Sequence, residues 1–192
     1  INIELTEGRY EVVSEKPTIV SAIGAIMKPS GKARIIHDAS RPLGAALNTY
    51  AEEESCQSFQ TMSDARELLS HEAYLVKVDL KGAYRSVGVR PSCFPATGLK
   101  WKFKGDTHET YMIDKCLPFG AKFSPGIFHR LTQAVRRMML KRGFHVVVYL
   151  DDFLIVESSF ERCAEAQTVL ISLLRELGFA IAWEKWKVQP KD

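Results

Sequence analysis

The 192-residue chain has no apolar run near the roughly 18 residues that a membrane span needs, so no segment reads as a transmembrane helix and no membrane partner is expected. Its opening, Ile1-Asn2-Ile3-Glu4, is unlike a signal peptide. The four cysteines, Cys56, Cys93, Cys116 and Cys163, lie far apart and lack CxxC spacing. That argues against a disulfide framework or a zinc site and fits a reducing, intracellular setting, cytoplasm or nucleus. His37, His108, His129 and His145 show no ligand spacing either. Internal repeats and low-complexity tracts are missing. Net charge is only +3, so the basic residues matter by where they cluster.

What remains has a globular composition, 46% hydrophobic, 26% charged and 10% aromatic, in a length that suits one domain or two closely packed subdomains. The basic residues gather in three places: Lys28, Lys32, Arg34 and Arg41; Lys100, Lys102 and Lys104; and Arg130, Arg136, Arg137, Lys141 and Arg142. Such clusters suit a polyanion, though each alone also suits a solvated face.

Two strand-like runs, Ile19–Met27 and Lys32–Ile36, flank Pro29-Ser30-Gly31 and predict a β-hairpin. A loop is expected over Asn48–Ser58, then a short helix over Asp64–Ser70 capped by Ser63. YLVKVDL (Tyr74–Leu80) alternates as a strand, with Leu75, Lys77 and Asp79 on one face. LKWKF (Leu99–Phe103) turns at Gly105-Asp106 into TYMI, a second hairpin. Phe128, Leu131, Val135, Met138 and Met139 mark a helix over 124–142, with Ser124 as N-cap and Pro125 in the first helical position. Ser158 and Glu161 read as the capping box of a helix over 159–177 that stops at Gly178, and a strand over 179–188 follows. The order β-α-β-β-α-β is the split βαβ plan, an α+β, ferredoxin-like antiparallel sheet with both helices on one face. Residues 88–122 insert into that plan, and residues 1–55 precede it.

Inside the apolar run VVVYLDDFLIV (Val146–Val156) sit two adjacent carboxylates, Asp151 and Asp152. Charges amid β-branched and aromatic residues call for a partner. In a split βαβ sheet the strand ending at Asp79 can lie beside this hairpin, so three carboxylates could converge. Bare, they would repel one another. A hard dication such as Mg²⁺ removes that problem, since it takes carboxylates, a backbone carbonyl and phosphate oxygens as ligands. Two such ions promote an in-line displacement at phosphorus. Asp-Asp at a hairpin tip also arises simply because Asp favours turns.

At this point the sequence resembles the fingers and palm of a reverse transcriptase. YLDD (Tyr149–Asp152) looks like motif C and VDLKGAY (Val78–Tyr84) like motif A. LPFGAKFSP (Leu117–Pro125) resembles motif B, in the LPFG form of retrotransposons and plant pararetroviruses rather than the LPQG usual in retroviruses. KPSGKARIIHD (Lys28–Asp38) resembles the fingertip hairpin, and GFAIAWEKW (Gly178–Trp186) resembles motif D with its Lys185. Within the family, HDASRPLGAALN, LPFGAKFSPGIF and LGFAIAWEKW are most similar to tyrosine-recombinase (DIRS-like) retrotransposons.

The resemblance implies a polymerase right hand with fingers in 1–55 and 88–122 and a palm in 56–87 and 123–192. It implies two Mg²⁺ ions, replaceable by Mn²⁺, on Asp79, Asp151, Asp152 and the Leu80 carbonyl, the three aspartates being catalytic. Lys28, Arg34, Lys81, Gly82, Ala83, Tyr84, Phe119, Gly120 and Lys185 would meet the dNTP. Lys28 and Lys185 serve there as compact cations, Arg34 as a planar guanidinium over the base, and Tyr84 as the ring that rejects a 2′-hydroxyl. Arg130, Arg137 and Lys141 would track template or primer phosphates. The partners implied are an RNA or DNA template with its primer, and dNTPs. The chain ends at KVQPKD, where the family continues into a thumb and RNase H. The expectation is therefore a fragment of a longer polyprotein, with uncovered surface that can drive self-association. Two functions stay open: an RNA-directed DNA polymerase core, or a related module that binds nucleic acid or scaffolds without catalysis.

Overall fold

Runs of β-branched and aromatic residues build the strands, and apolar stripes at helical spacing build the two long helices. The computed structural model describes residues 1–27, 31, 33–52 and 58–183, with backbone alone for Ala33 and Arg34. Along the chain run α1 (Asn2–Thr6), β1 (Tyr10–Val13), β2 (Val20–Met27), β3 (Ala33–Asp38), α2 (Leu47–Tyr50), α3 (Met62–Leu68) and β4 (Tyr74–Asp79). Two 3₁₀ turns, Ala83–Ser86 and Pro91–Ala96, lead to β5 (Gly98–Trp101), β6 (Thr110–Asp114) and α4 (Ser124–Lys141). The order closes with β7 (Val146–Tyr149), β8 (Asp152–Glu157) and α5 (Phe160–Glu176). The chain divides into two units, Ile1–Ser55 with Tyr84–Ser124, and Cys56–Ala83 with Pro125–Asp192.

The first unit holds a five-stranded sheet in the order β1-β6-β5-β2-β3. β2 and β3 form the expected antiparallel hairpin, from Ala22↔Asp38 to Met27↔Ala33, and β5 and β6 form the second. Tyr10, Leu99 and Met112 make its core, with Ile1, Leu5 and Ile23 against them. Gly120 has φ of 99° and lies so close to the His37 carbonyl that a Cβ would collide with it, so only glycine fits. Asn48 pins this corner: its amide donates to the Gly120 carbonyl at 3.0 Å, and its oxygen accepts from the Lys122 N–H at 2.9 Å.

The second unit is an antiparallel sheet in the order β4-β8-β7, with α5 packed on β4 and β8. Val78, Val146, Val148, Phe153 and Ile155 are buried, as are Phe128, Val135 and Met139 of α4 and Leu170 and Leu174 of α5. An isolated antiparallel bridge, Leu80↔Ile181, continues the sheet past β4, on the side where the split βαβ plan sets its last strand. Of the strand expected over 179–188 that single bridge is what residues 179–183 show, and the residues from 184 on lie outside the described ones. No helix among the described residues is long and apolar enough to cross a membrane.

Three helix starts differ from expectation. α3 is capped by Thr61, not Ser63, because Asp64 stands three residues on and completes a reciprocal capping box. α5 is capped by Ser159, whose oxygen accepts from the Arg162 N–H at 3.2 Å. Ser124 is buried and donates its hydroxyl to the Pro118 carbonyl at 2.7 Å, tying motif B to the helix start. Strand β1 and helices α1 and α2, too short to show a period, were not foreseen, and α2 takes the first residues of the loop expected over Asn48–Ser58.

Phe153 is fully buried in the sheet core whereas Leu43 is 90% exposed. Urea unfolding followed by circular dichroism should show Phe153→Ala losing about 3–5 kcal/mol and Leu43→Ala no more than about 0.5 kcal/mol. Equal losses would mean that the sheet core is not where burial places it.

Candidate active site

The site is built on register. β7 and β8 pair from Val146↔Ile155 to Tyr149↔Asp152, leaving Leu150 and Asp151 as a two-residue turn. Such turns need left-handed backbone, and Leu150 supplies it at φ 51°, a conformation most side chains avoid. β8 pairs with β4 from Tyr74↔Glu157 to Asp79↔Asp152, so the last residue of β4 faces the first of β8. Residues directly opposite share one face of a sheet. Lys77, two residues before Asp79, lies on that face too. Its Nζ is 2.9 Å from Asp79 Oδ1 and 3.2 Å from Asp152 Oδ2.

Burial differs across this trio. The side chain of Asp79 is 7% exposed, that of Asp152 41% and that of Lys77 54%. Partial burial pushes the Asp152 carboxyl up to about 6; Asp79 beside it adds to the rise and the Lys77 ammonium opposes it. Lys77 moves the other way: its ammonium is held above the usual lysine value, chiefly by Asp79 and then by Asp152, against burial. The same face opens into a groove of about 520 Å³ lined by Gln60, Thr61, Met62, Lys77, Val147, Tyr149, Asp152 and Leu154. Gln60 fixes one wall, its oxygen accepting from the Val148 N–H of β7 at 3.0 Å. Phe59 packs near Tyr149, ring centroids 5.9 Å apart.

The expected convergence of three carboxylates is met by two. Among the described residues no three acidic, histidine or cysteine groups are arranged to hold a metal. Strand alternation gives the reason: Asp152 shares the face of Asp79, and its neighbour Asp151 sits in the turn, where its carbonyl accepts the Leu80 N–H at 3.1 Å. The donor set still suits a hard cation in kind, since Asp79 and Asp152 already gather about one cation, the Lys77 ammonium. Leu80 is buried, and Lys81 donates its N–H to the Ala180 carbonyl at 2.8 Å. Gly82 follows at φ 62°, then buried Ala83. Arg130, Arg137 and Lys141 are all exposed along α4.

In the first unit Tyr84 and Phe119 meet, ring centroids 4.9 Å apart. The residue after Tyr84 anchors its turn. Arg85 donates to both oxygens of Asp114, at 2.7 and 2.8 Å, and to Glu4 at 2.9 and 3.1 Å. Asp114 is fully buried and also accepts the Cys116 N–H at 2.9 Å. Tyr10 and His37 share a 2.7 Å hydrogen bond beside it, and His37 Nε2 is 3.6 Å from Asp114. Burial holds the His37 imidazole below its ordinary value, as Arg85 also does, while Asp114 works the other way. Lys28 and Lys185 lie outside the described residues, as does the Arg34 side chain.

Sequence reading missed Lys77, Arg85, Asp114 and Gln60 as parts of these arrangements. The one available signal was Lys77 two positions before Asp79, a same-face spacing in a strand. The pairing of Arg85 with Asp114 spans 29 residues, and no local pattern announces it.

A family model described as "Reverse transcriptase (RNA-dependent DNA polymerase)" matches residues 26–191. The Gag-Pol polyprotein of Woolly monkey sarcoma virus is 29% identical over 129 residues, 64% of this chain and 7% of that protein. Among solved structures, a foamy viral protease–reverse transcriptase bound to double-stranded DNA superposes with a TM-score of 0.79 at 17% identity, over 95% of this chain and 29% of the other. The native prototype foamy virus protease–reverse transcriptase gives 0.72 at 17% identity, over 94% and 22%. The likeness to the solved structures is of fold, and the chain spans under a third of each relative's length.

The neutral imidazole of His37 sets a pH dependence. A depressed folded-state pKa means that the unfolded chain takes up a proton more readily, so the stability from neutral His37 is present above the ordinary value of 6.5 and is lost as pH falls below it. Unfolding free energies from denaturant titrations at pH 7.5 and 5.5 should differ in the wild type by up to about 1.4 kcal/mol per pH unit. The difference should shrink in His37→Gln; an unchanged pH slope in that variant would remove His37 as the cause.

Proposed function

Since this chain belongs to the reverse transcriptase family, we propose that it is the fingers and palm core of an RNA-directed DNA polymerase, transferring dNTPs to a primer 3′-hydroxyl. The first unit takes the part of the fingers and the second that of the palm, with expected boundaries of 1–55 and 88–122 against 56–87 and 123–192. The observation that carries this reading is the register of β4 on β8, which sets Asp79 opposite Asp152 around a cation. A structural role alone gives no reason to oppose two carboxylates on adjacent strands, because like charges there are destabilising.

Two Mg²⁺ ions, or Mn²⁺ in their place, would lower the pKa of the primer hydroxyl and neutralise the charge on the phosphates. Asp79 and Asp152 would hold them, Asp151 in the adjoining turn would be the third carboxylate, and the Leu80 carbonyl would be a main-chain donor. Lys81, Gly82 and Ala83 present backbone beside the phosphates, Gly82 with the left-handed turn that a side chain would oppose. Tyr84, backed by the Phe119 ring next to Gly120, excludes the 2′-hydroxyl of an NTP. Lys28, Arg34 and Lys185 contact the nucleotide. Arg130, Arg137 and Lys141 present an exposed cationic face to template or primer phosphates. The finer affiliation is to DIRS-like elements, supported by HDASRPLGAALN, LPFGAKFSPGIF and LGFAIAWEKW. The protein works inside the cell, in cytoplasm or nucleus, where free thiols such as Cys93, Cys116 and Cys163 are stable. A thumb and RNase H supplied by a longer polyprotein complete the grip on the duplex.

The test is primer extension on an RNA template with dNTPs and Mg²⁺, for the chain alone and joined to a downstream thumb. Asp79→Asn and Asp152→Asn should each lower the extension rate by about 100-fold or more. Tyr84→Ala should raise incorporation of NTPs relative to dNTPs. Tight nucleic-acid binding with no extension by either form would replace the polymerase with a binding module.

A further inference from the structure

Lys77 has a part that neither motif nor family match assigns. Its Nζ sits 2.9 Å from Asp79 Oδ1 and 3.2 Å from Asp152 Oδ2, on the two carboxylates read above as the cation site. Two features make this contact reversible. The ammonium ends a flexible four-carbon stem, and the side chain is 54% exposed along the open groove, so it can swing into water at small cost. The backbone that carries the two carboxylates is fixed by the β4–β8 ladder, and the Asp79 side chain is nearly buried.

We propose that Lys77 is a tethered counter-ion of the Asp79–Asp152 pair, holding the two carboxylates together and yielding its place to a divalent cation. A metal ion that uses both oxygens must displace Nζ, because two cations within about 3 Å of the same oxygens would repel strongly. Lys77 thereby weakens metal affinity and makes the pair safe to fold without metal. This rests on the reading of Asp79 and Asp152 as a cation site, and the experiment separates the two.

Mn²⁺ binding to the 192-residue chain is measured by calorimetry for wild type, Lys77→Met, Lys77→Arg and Asp152→Asn, with melting curves in EDTA. Removing the competing charge should tighten Mn²⁺ binding about threefold or more in Lys77→Met, while Lys77→Arg, which keeps the charge, stays near wild type. Lys77→Met should also melt lower in EDTA, and added Mn²⁺ should close the gap. In the unaltered chain, Mn²⁺ should free the amine, so labelling of Lys77 by an amine-reactive reagent rises. That measurement needs no variant to fold.

Mn²⁺ affinity unchanged or weakened in Lys77→Met, or labelling that does not rise, overturns the counter-ion role while leaving the cation site standing. Absence of any Mn²⁺ binding lost in Asp152→Asn removes the cation site itself, and with it this inference.

Discussion

Asp79 and Asp152 stand opposite one another across β4 and β8, and two ionised carboxylates in that position repel. What holds them there lies on the other face of the sheet. Val78 and Phe153, the next pair in the ladder, are both fully buried, and α5 covers β4 and β8. A slip of one residue would turn that buried set toward water and expose the core, so burial of apolar surface fixes the register that brings the charges together. Lys77 then answers the repulsion locally from the same strand. The order of causes runs from core to charge: without the apolar face the pair would separate, and without the pair Lys77 would be an ordinary surface lysine.

The first unit solves a related problem in a drier setting. Asp114 has no exposure and would be costly there as a lone ion. Arg85 meets it with a bidentate contact, and Glu4 and Arg9 extend the network to α1. Two backbone bonds, Leu117 N–H to the Val87 carbonyl and Val89 N–H to the Lys115 carbonyl, lace the segment after Tyr84 to the stretch that runs from the end of β6 to Phe119. The two aromatic rings are thus set on a base whose charges are mutually satisfied. Here charge serves rigidity, whereas around Lys77 it stays exposed and able to move.

The parts of this arrangement that were legible in the sequence are those with a local code. Alternation in YLVKVDL and the Pro-Ser-Gly and Gly-Asp turns announced strands and hairpins that are present. Stripes ending at Gly143 and Gly178, both with positive φ, announced α4 and α5. Caps were misplaced by one or two residues because Ser and Thr candidates stand close together: a reciprocal box selects Thr61, whereas Ser159 caps α5 through its bond to the Arg162 N–H, not through the box expected from Ser158. Asp79 and Asp152 could be paired from the split βαβ plan, since the topology sets those strands side by side. The plan could not separate Asp151 from Asp152, because that depends on where β8 begins. Arg85 with Asp114, and Gln60 with Val148, are long-range pairings between residues with no periodic signal.

The start of β8 depends in turn on the Leu150 backbone. A two-residue hairpin turn is easiest for Asn or Gly, and a leucine at φ 51° costs about 1–2 kcal/mol. Such a conformation persists only where neighbours over-determine it. Here the β7–β8 ladder continues inward from the turn through three buried valines, Val146, Val147 and Val148, and Gln60 secures the outer edge at the Val148 N–H. The β4–β8 ladder sets the face of Asp152, and the tight turn makes it the residue at which pairing with β7 begins. Strain in the turn, repulsion between the carboxylates and the bound ammonium all accompany the place of Asp152 as the first residue of its strand. All three are concentrated at one end of a sheet whose remaining length is stabilised by burial.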